Sequence, residues 1–262
     1  MSVYKIGLVQ IDVKLHETQE NQEKALSFIE QALKQGADFV ILPEMWKSGF
    51  VSNPTDYAEN ENSALMNNLK KLARDYKAVI IPGSFTEVEK DKIYNTAYVI
   101  GANGFVKGKY RKIHIFGPEK KHYVGGNSIP IFEEKGLRFG IEICYDIRFP
   151  ELTRILALSG ARVIFVAAQF PNPRQEHWYT ILRARAMENQ LFVVAVNRVG
   201  EDKHQSYFGN SLVINPNGDV LLYGDDREKL LLCEISTDEV DNVRSIRNDL
   251  KERRPEVYKD YE

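Results

Sequence analysis

Three short runs, 39–42, 163–168 and 192–196, contain no polar residue. A strand with one face in water alternates apolar and polar positions, so runs like these need cover on both faces. Helical periods precede and separate them. Ala25, Phe28, Ile29, Ala32 and Leu33 make one stripe over 18–35, and Gly36 stands where a left-handed cap would end it. Similar patterns occupy 63–76 and 150–159, the latter opened by Pro150 and closed by Gly160. Helix, Gly36-Ala37, strand, Pro43-Glu44 is echoed by helix, Gly160-Ala161, strand, Ala167-Ala168-Gln169. Doubly covered strands alternating with helices predict an α/β fold. Two stacked mixed sheets would lie between outer helices, as a four-layer α-β-β-α sandwich.

Further strands are expected at 4–11, 79–84, 93–100, 129–133, 137–143, 211–214, 220–223 and 230–235, and helices at 175–189 and near the C-terminus. Gly101-Ala102-Asn103-Gly104 reads as a hairpin turn onto 105–110; it lacks the order of a phosphate cradle and no helix follows it. The segments 45–62 and 111–128 read as irregular loops. Trp46, Phe50 and Tyr57 in the first either line a pocket or pin the loop down. No low-complexity linker divides the chain. One domain over 3–238 is expected, with the helix and charged tail of 239–262 packing on it or on a partner subunit.

A chain of 262 residues has ample length for a deep core. Its formal net charge of -2 gives nucleic acid or an anionic membrane nothing to hold, and no apolar run is long enough to span a bilayer. Two cysteines rule out a disulfide scaffold and favour a reducing, cytoplasmic setting. The N-terminus enters a strand at once, so no signal peptide is expected. The five histidines show no metal-ligand spacing with either cysteine, and no metal or cofactor is expected.

Chemistry is concentrated at strand ends, where α/β proteins gather ligands. The apolar run Phe139, Ile141, Ile143 stops at Cys144, a polar turn follows, and Pro150 opens a helix. A thiol on such a bend is either a nucleophile or an inert small hydrophobe. Glu44 follows the strand at 39–42 and is a candidate acid or base, or an exposed loop carboxylate. Lys112 ends the 105–110 strand and is a candidate cation, or one more member of the basic run Lys107, Lys109, Arg111. Arg174, on the bend after the 163–168 strand, either clamps a substrate carboxylate or is a surface charge at a helix start. Arg148 and Glu151 are expected to brace the bend by pairing with other charges, and Asp146 to receive backbone N–H groups. His114 would share a strand face with Lys112, so a Cys–His pair is the minor alternative.

Leu42-Pro43-Glu44-Met45-Trp46, Tyr110-Arg111-Lys112-Ile113-His114 and the run from Glu142 through Cys144-Tyr145-Asp146 to Glu151 resemble the three signature blocks of the nitrilase superfamily of carbon–nitrogen hydrolases. The segments 183–189 and 215–218 resemble two further blocks, and the likeness runs from about residue 4 to 236. By that resemblance Glu44, Lys112 and Cys144 form the family's triad, and Glu119 matches a second family glutamate that supports the lysine or is a plain salt bridge. The closest likeness within the family is to ω-amidases acting on 2-oxo acid amides, carried by Met45-Trp46, Ser48-Gly49-Phe50, Phe170 to Arg174 and His177-Trp178.

The resemblance implies a cytoplasmic amidohydrolase that cleaves a small carboxylic or 2-oxo acid ω-amide through a thioester and releases ammonia. The Tyr145 N–H would help Lys112 hold the oxyanion, and Phe50, Phe116 and Arg174 would shape the substrate site. A nitrilase or an N-carbamoyl hydrolase on the same fold, or a non-catalytic interaction module, is the alternative. The small-molecule amide is the expected ligand. The family's habit of pairing implies a homodimer or higher homo-oligomer, with Leu152, Ile155 and the segment 178–181 offered as its surface.

Overall fold

The computed structural model describes residues 2–259. The first half holds β1 (Val3–Gln10), α1 (Thr18–Lys34), β2 (Phe39–Ile41), α2 (Ala64–Tyr76), β3 (Val79–Ile81), β4 (Ser84–Glu89), β5 (Lys92–Ile100) and β6 (Val106–Arg111). The second continues with β7 (Phe132–Glu134), β8 (Leu137–Ile143), α3 (Pro150–Leu158), β9 (Val163–Ala168), α4 (Gln175–Asn189) and β10 (Phe192–Asn197). It closes with β11 (Val199–Glu201), β12 (Ser206–Phe208), β13 (Leu212–Ile214), β14 (Val220–Tyr223), β15 (Lys229–Ser236) and α5 (Asp238–Ile246).

One sheet is ordered β15-β1-β2-β3-β5-β4, with β6 also pairing on β5, and the other β14-β13-β10-β9-β8-β7. β1, β2 and β3 run parallel, as do β8, β9 and β10, while the flanking strands are antiparallel, so both sheets are mixed. The apolar runs owe their composition to this stacking. Phe39 and Ile41 of β2 point into the interior between the sheets, where Phe39 stacks on Phe165 at 5.8 Å and meets Phe139 edge-on at 5.8 Å. Val40, on the opposite face, packs with Ile80 against Ile29, Leu33 and Leu69 of α1 and α2. Helices α3 and α4 cover the second sheet through Leu156, Ala157, Leu182 and Ala186. Each such fully buried side chain contributes roughly 1.5–3 kcal/mol. The result is the four-layer α-β-β-α sandwich.

Sequence periodicity misses two elements. The expected strand at 79–84 ends at Ile81, because Pro82 and Gly83 turn the chain. Gly83 has φ +62°, and a Cβ there would lie 1.9 Å from the Pro43 carbonyl oxygen. The chain resumes as β4, whose polar Thr86 and Glu87 are buried and partnered by Tyr123, Thr96 and Arg111. The ribbon of β11 and β12 is the other; its strands are too short to show a period. The expected strand at 129–133 shrinks to β7, paired with the start of β8.

Helix α5 packs on its own chain: Val240 joins the core, and Arg244 donates to the Asn189 carbonyl at 3.1 Å. Leu152 and Trp178, offered as pairing surface, are buried in the core because they face the second sheet. Ile155, Leu158 and Met187 are the large apolar side chains exposed on α3 and α4. Among the described residues no helix is long and apolar enough to cross a membrane.

Candidate active site

The ends of β2, β6, β8 and β9 deliver Glu44, Lys112, Cys144 and Gln169 to one place. Each is held there by local chemistry. After β2 the chain turns sharply at Met45, with φ +46°, and the Met45 N–H donates to Ser84 Oγ at 3.2 Å. Trp46 is fully buried on Phe85 and donates its ring N–H to the Pro82 carbonyl, so it pins the loop. Tyr57 also pins it, through His16 at 2.9 Å, while Phe50 lines the cavity. Lys112 is locked at its backbone: its N–H donates to the Asn95 carbonyl and its own carbonyl accepts from Gly126, both at 2.9 Å.

Cys144 begins a 3-10 turn, Cys144–Arg148, with φ +48°. A left-handed non-glycine residue is strained and persists only where its surroundings fix it. Asp146 does the fixing. Its carboxylate is fully buried and accepts from the Ile143 N–H at 3.0 Å, the Tyr110 hydroxyl at 2.7 Å and the His114 N–H at 3.0 Å. One side chain thus ties the Cys144 bend to the strand that carries Lys112. His114 turns its Nδ1 to the same carboxylate at 2.8 Å and stacks on Phe149 at 3.6 Å, so it is engaged away from the thiol and makes no Cys–His pair.

The functional groups meet at the floor of a cavity of about 560 Å³. Lys112 Nζ, wholly buried, donates to Glu44 Oε1 at 2.7 Å and to both Glu119 oxygens at 2.8 and 2.9 Å. Asn95 adds a hydrogen bond to Glu44 Oε1 at 2.8 Å, and the Gln169 backbone N–H one to Oε2 at 3.1 Å. Glu44, Glu119 and Cys144 line the cavity, with Lys112 immediately behind the two carboxylates. Phe50, Phe116, Tyr145 and Arg174 form its walls and mouth, and Phe116 lies edge-on to Tyr145 at 5.2 Å. The structure therefore brings Glu44, Lys112, Cys144, Glu119, Tyr145, Phe50, Phe116 and Arg174 together around one space, and leaves His114 outside it.

Electrostatics follow from burial. Burial favours the neutral amine of Lys112, but the charges of Glu44 and Glu119 outweigh it and raise its pKa, so it stays an ammonium. Burial pushes Glu119 up to about 7; Lys112 pulls it down and the Glu44 charge pushes it up. Burial, the Glu44 charge and a hydrogen bond to Glu44 push the Cys144 thiol well up, with Lys112 opposing. Burial at this spot therefore favours the thiol form of Cys144 over the thiolate.

Sequence reasoning missed three participants. Asn95 and Gln169 hold Glu44, and Gln169 was the one polar residue ending an otherwise apolar strand. Arg148 was expected to brace the bend through a charge pair. It lines the cavity instead: its guanidinium lies 5.5 Å from the Phe170 ring centroid and donates to His177 Nδ1 at 3.2 Å. Glu151 is exposed on the first turn of α3.

A four-layer sandwich with an acid, an ammonium and a thiol meeting beyond its strand ends agrees with what the resemblance of the three sequence blocks implies, a hydrolase of carbon–nitrogen bonds. The profile of the family described as carbon–nitrogen hydrolase matches residues 5–245. The 2-oxoglutaramate amidase of Bacillus subtilis (strain 168) is 36% identical over 244 residues, spanning 92% of this chain and 94% of that protein. An omega-amidase of Homo sapiens is 31% identical over 271 residues and 98% of each chain. A solved carbon–nitrogen hydrolase superfamily protein of Xanthomonas campestris, bearing an arsenic adduct in its active site, superposes with a TM-score of 0.90 at 30% identity, over 97% of this chain and 98% of that one. The chain belongs to the carbon–nitrogen hydrolase family of the nitrilase superfamily.

Proposed function

We propose that this protein hydrolyses the ω-amide of a small carboxylic or 2-oxo acid through a thioester on Cys144. The observation that carries the reading is the convergence of Glu44, Lys112 and Cys144 at the floor of a cavity whose mouth carries Arg148 and Arg174.

An amide carbonyl is a poor electrophile and needs a strong nucleophile. A thiolate serves, and Glu44 takes the thiol proton as sulfur attacks the carbonyl carbon. A C–S bond forms and the carbonyl oxygen becomes an oxyanion. Lys112, held as an ammonium, and the Tyr145 N–H, on the first turn of the 3-10 helix, are the donors for that charge. Loss of one such donor costs on the order of 3 kcal/mol of transition-state stabilisation. Glu44 then gives its proton to nitrogen, the C–N bond breaks and ammonia leaves. Water, deprotonated by Glu44, attacks the thioester. The C–S bond breaks, the carboxylic acid departs and the sulfur regains its proton. Glu119 keeps Lys112 aligned through two hydrogen bonds.

The substrate carboxylate would meet the guanidiniums of Arg148 and Arg174, whose planar forks suit a carboxylate. The names of the amidase relatives point to the same substrate class. The active unit is taken to be a cytoplasmic homo-oligomer. The test is ammonia release from 2-oxoglutaramate, glutamine, a nitrile and a carbamoyl amino acid, with hydroxylamine trapping of the acyl enzyme. Turnover of the two amides with hydroxamate formation is expected. Preferred turnover of the nitrile, or release of carbon dioxide with ammonia, would replace this reading.

A further inference from the structure

A buried chain of hydrogen bonds connects Glu44 to the rim of the cavity. Gln169 holds Glu44 twice: its backbone N–H donates to Oε2 at 3.1 Å and its side-chain amide donates to the Glu44 carbonyl at 2.7 Å. That amide is oriented by Arg198, whose Nη1 donates to Gln169 Oε1 at 3.0 Å. Arg198 is fully buried, lies 4.0 Å from the Tyr207 ring centroid, and donates through Nη2 to the Val13 carbonyl at 2.6 Å. The same Nη1 donates to Asp202 Oδ2 at 2.9 Å. The other oxygen of Asp202 accepts the backbone N–H groups of His204 at 2.9 Å and Gln205 at 3.2 Å. His204 and Gln205 form the turn between β11 and β12 and line the cavity.

We propose that Arg198 is a positioning residue for Glu44: it fixes the Gln169 amide and links the orientation of the base to the 202–205 turn at the cavity mouth. A fully buried guanidinium is costly unless it is paired; here Nη1 spans the two ends of that link, Nη2 meets the Val13 carbonyl and lies 3.6 Å from Asp12 Oδ1, and Nε has no partner among the described residues. The inference rests on the reading of Glu44 as the base. It predicts that a change at the rim, beyond reach of the reacting atoms, lowers kcat rather than raising KM, because misplacing a catalytic group by a fraction of an ångström slows chemistry steeply.

The test is steady-state ammonia release by the full chain on its best substrate from the amide panel, with a thermal melt of every variant. Asp202→Asn keeps the oxygen that caps the turn and sets an NH2 against Arg198. It should lower kcat roughly tenfold with KM within about twofold. Gln169→Leu should lower kcat at least as much, and the double variant no further than Gln169→Leu alone, because the two act in series. Arg198→Lys keeps the charge but cannot bridge Asp202, Gln169 and the Val13 carbonyl together. It should slow kcat with its melt preserved, and it serves if Asp202→Asn does not fold. Wild-type kcat in folded Asp202→Asn, a change confined to KM, or losses that multiply in the double variant would overturn the link. Glu44→Gln separates the two readings. If it retains turnover, the base assignment fails and takes the link with it; if it is inactive while Asp202→Asn is unimpaired, the link alone fails.

Discussion

Glu142, two residues before the candidate nucleophile, offers a sharp quantitative test. It is wholly buried under α3 and accepts from Thr153 Oγ1 at 2.5 Å. Burial pushes its carboxyl up to about 8 from an ordinary 4.5; the Thr153 hydroxyl only partly offsets this. The sign follows from proton uptake. Between those values the unfolded chain has released the proton and the folded chain has kept it. Stability is therefore full below about pH 4.5 and is lost as pH rises to about 8, at about 1.4 kcal/mol per pH unit. Over that interval the loss approaches about 4 to 5 kcal/mol, a large share of a typical domain's stability. Glu142→Gln keeps the shape of the protonated carboxyl and removes the titration. Urea unfolding of both proteins at pH 5, 6, 7 and 8 should show the variant gaining on the parent by about that slope, with near equality at pH 5. Other titrating groups are common to both proteins and cancel in the difference. Parallel stability curves would refute the argument, because they would mean that Glu142 ionises in the folded state as readily as in the unfolded one.

Cys144→Ala should abolish turnover and hydroxylamine trapping with an unchanged melt, whereas Cys233→Ala, on the edge strand β15, should stay within about twofold of wild type. Glu119→Gln, which keeps the shape beside Lys112 but removes a charge, should lower kcat about tenfold or more with little change in KM; a wild-type kcat would reduce Glu119 to a passive neighbour. Ile155→Glu on the exposed face of α3 should shift the particle to the mass of one chain in light scattering if two copies pair through the outer helices. A mass unaffected by Ile155→Glu would place any pairing elsewhere.

The layers were legible because burial on both faces writes itself into composition. Phe39, Val40 and Ile41 must be apolar since one neighbour is a sheet and the other a helix. β4 escaped because its buried Glu87 is polar and is satisfied by Arg111, 24 residues away in sequence on another strand. Pattern reads chemical type at a fixed spacing; it does not read which distant group will neutralise a charge. The site divides in the same way. Glu44, Lys112 and Cys144 stood out at strand ends in recognisable blocks. Asn95 and Gln169 did not, and Arg148 stood in such a block with its role misjudged, since these roles come from partners supplied by other strands and helices.

Lys112 is one cation facing two carboxylates, so the floor of the cavity carries a surplus of negative charge whenever Glu119 is ionised. Hydrolysis turns an uncharged carbonyl group into an anion at that spot. On the proposed reaction, the uncharged amide group would be accepted there and the carboxylate it becomes would be repelled toward Arg148 and Arg174. On the proposed mechanism, the enclosure that holds the reacting groups would also favour departure of the charged product.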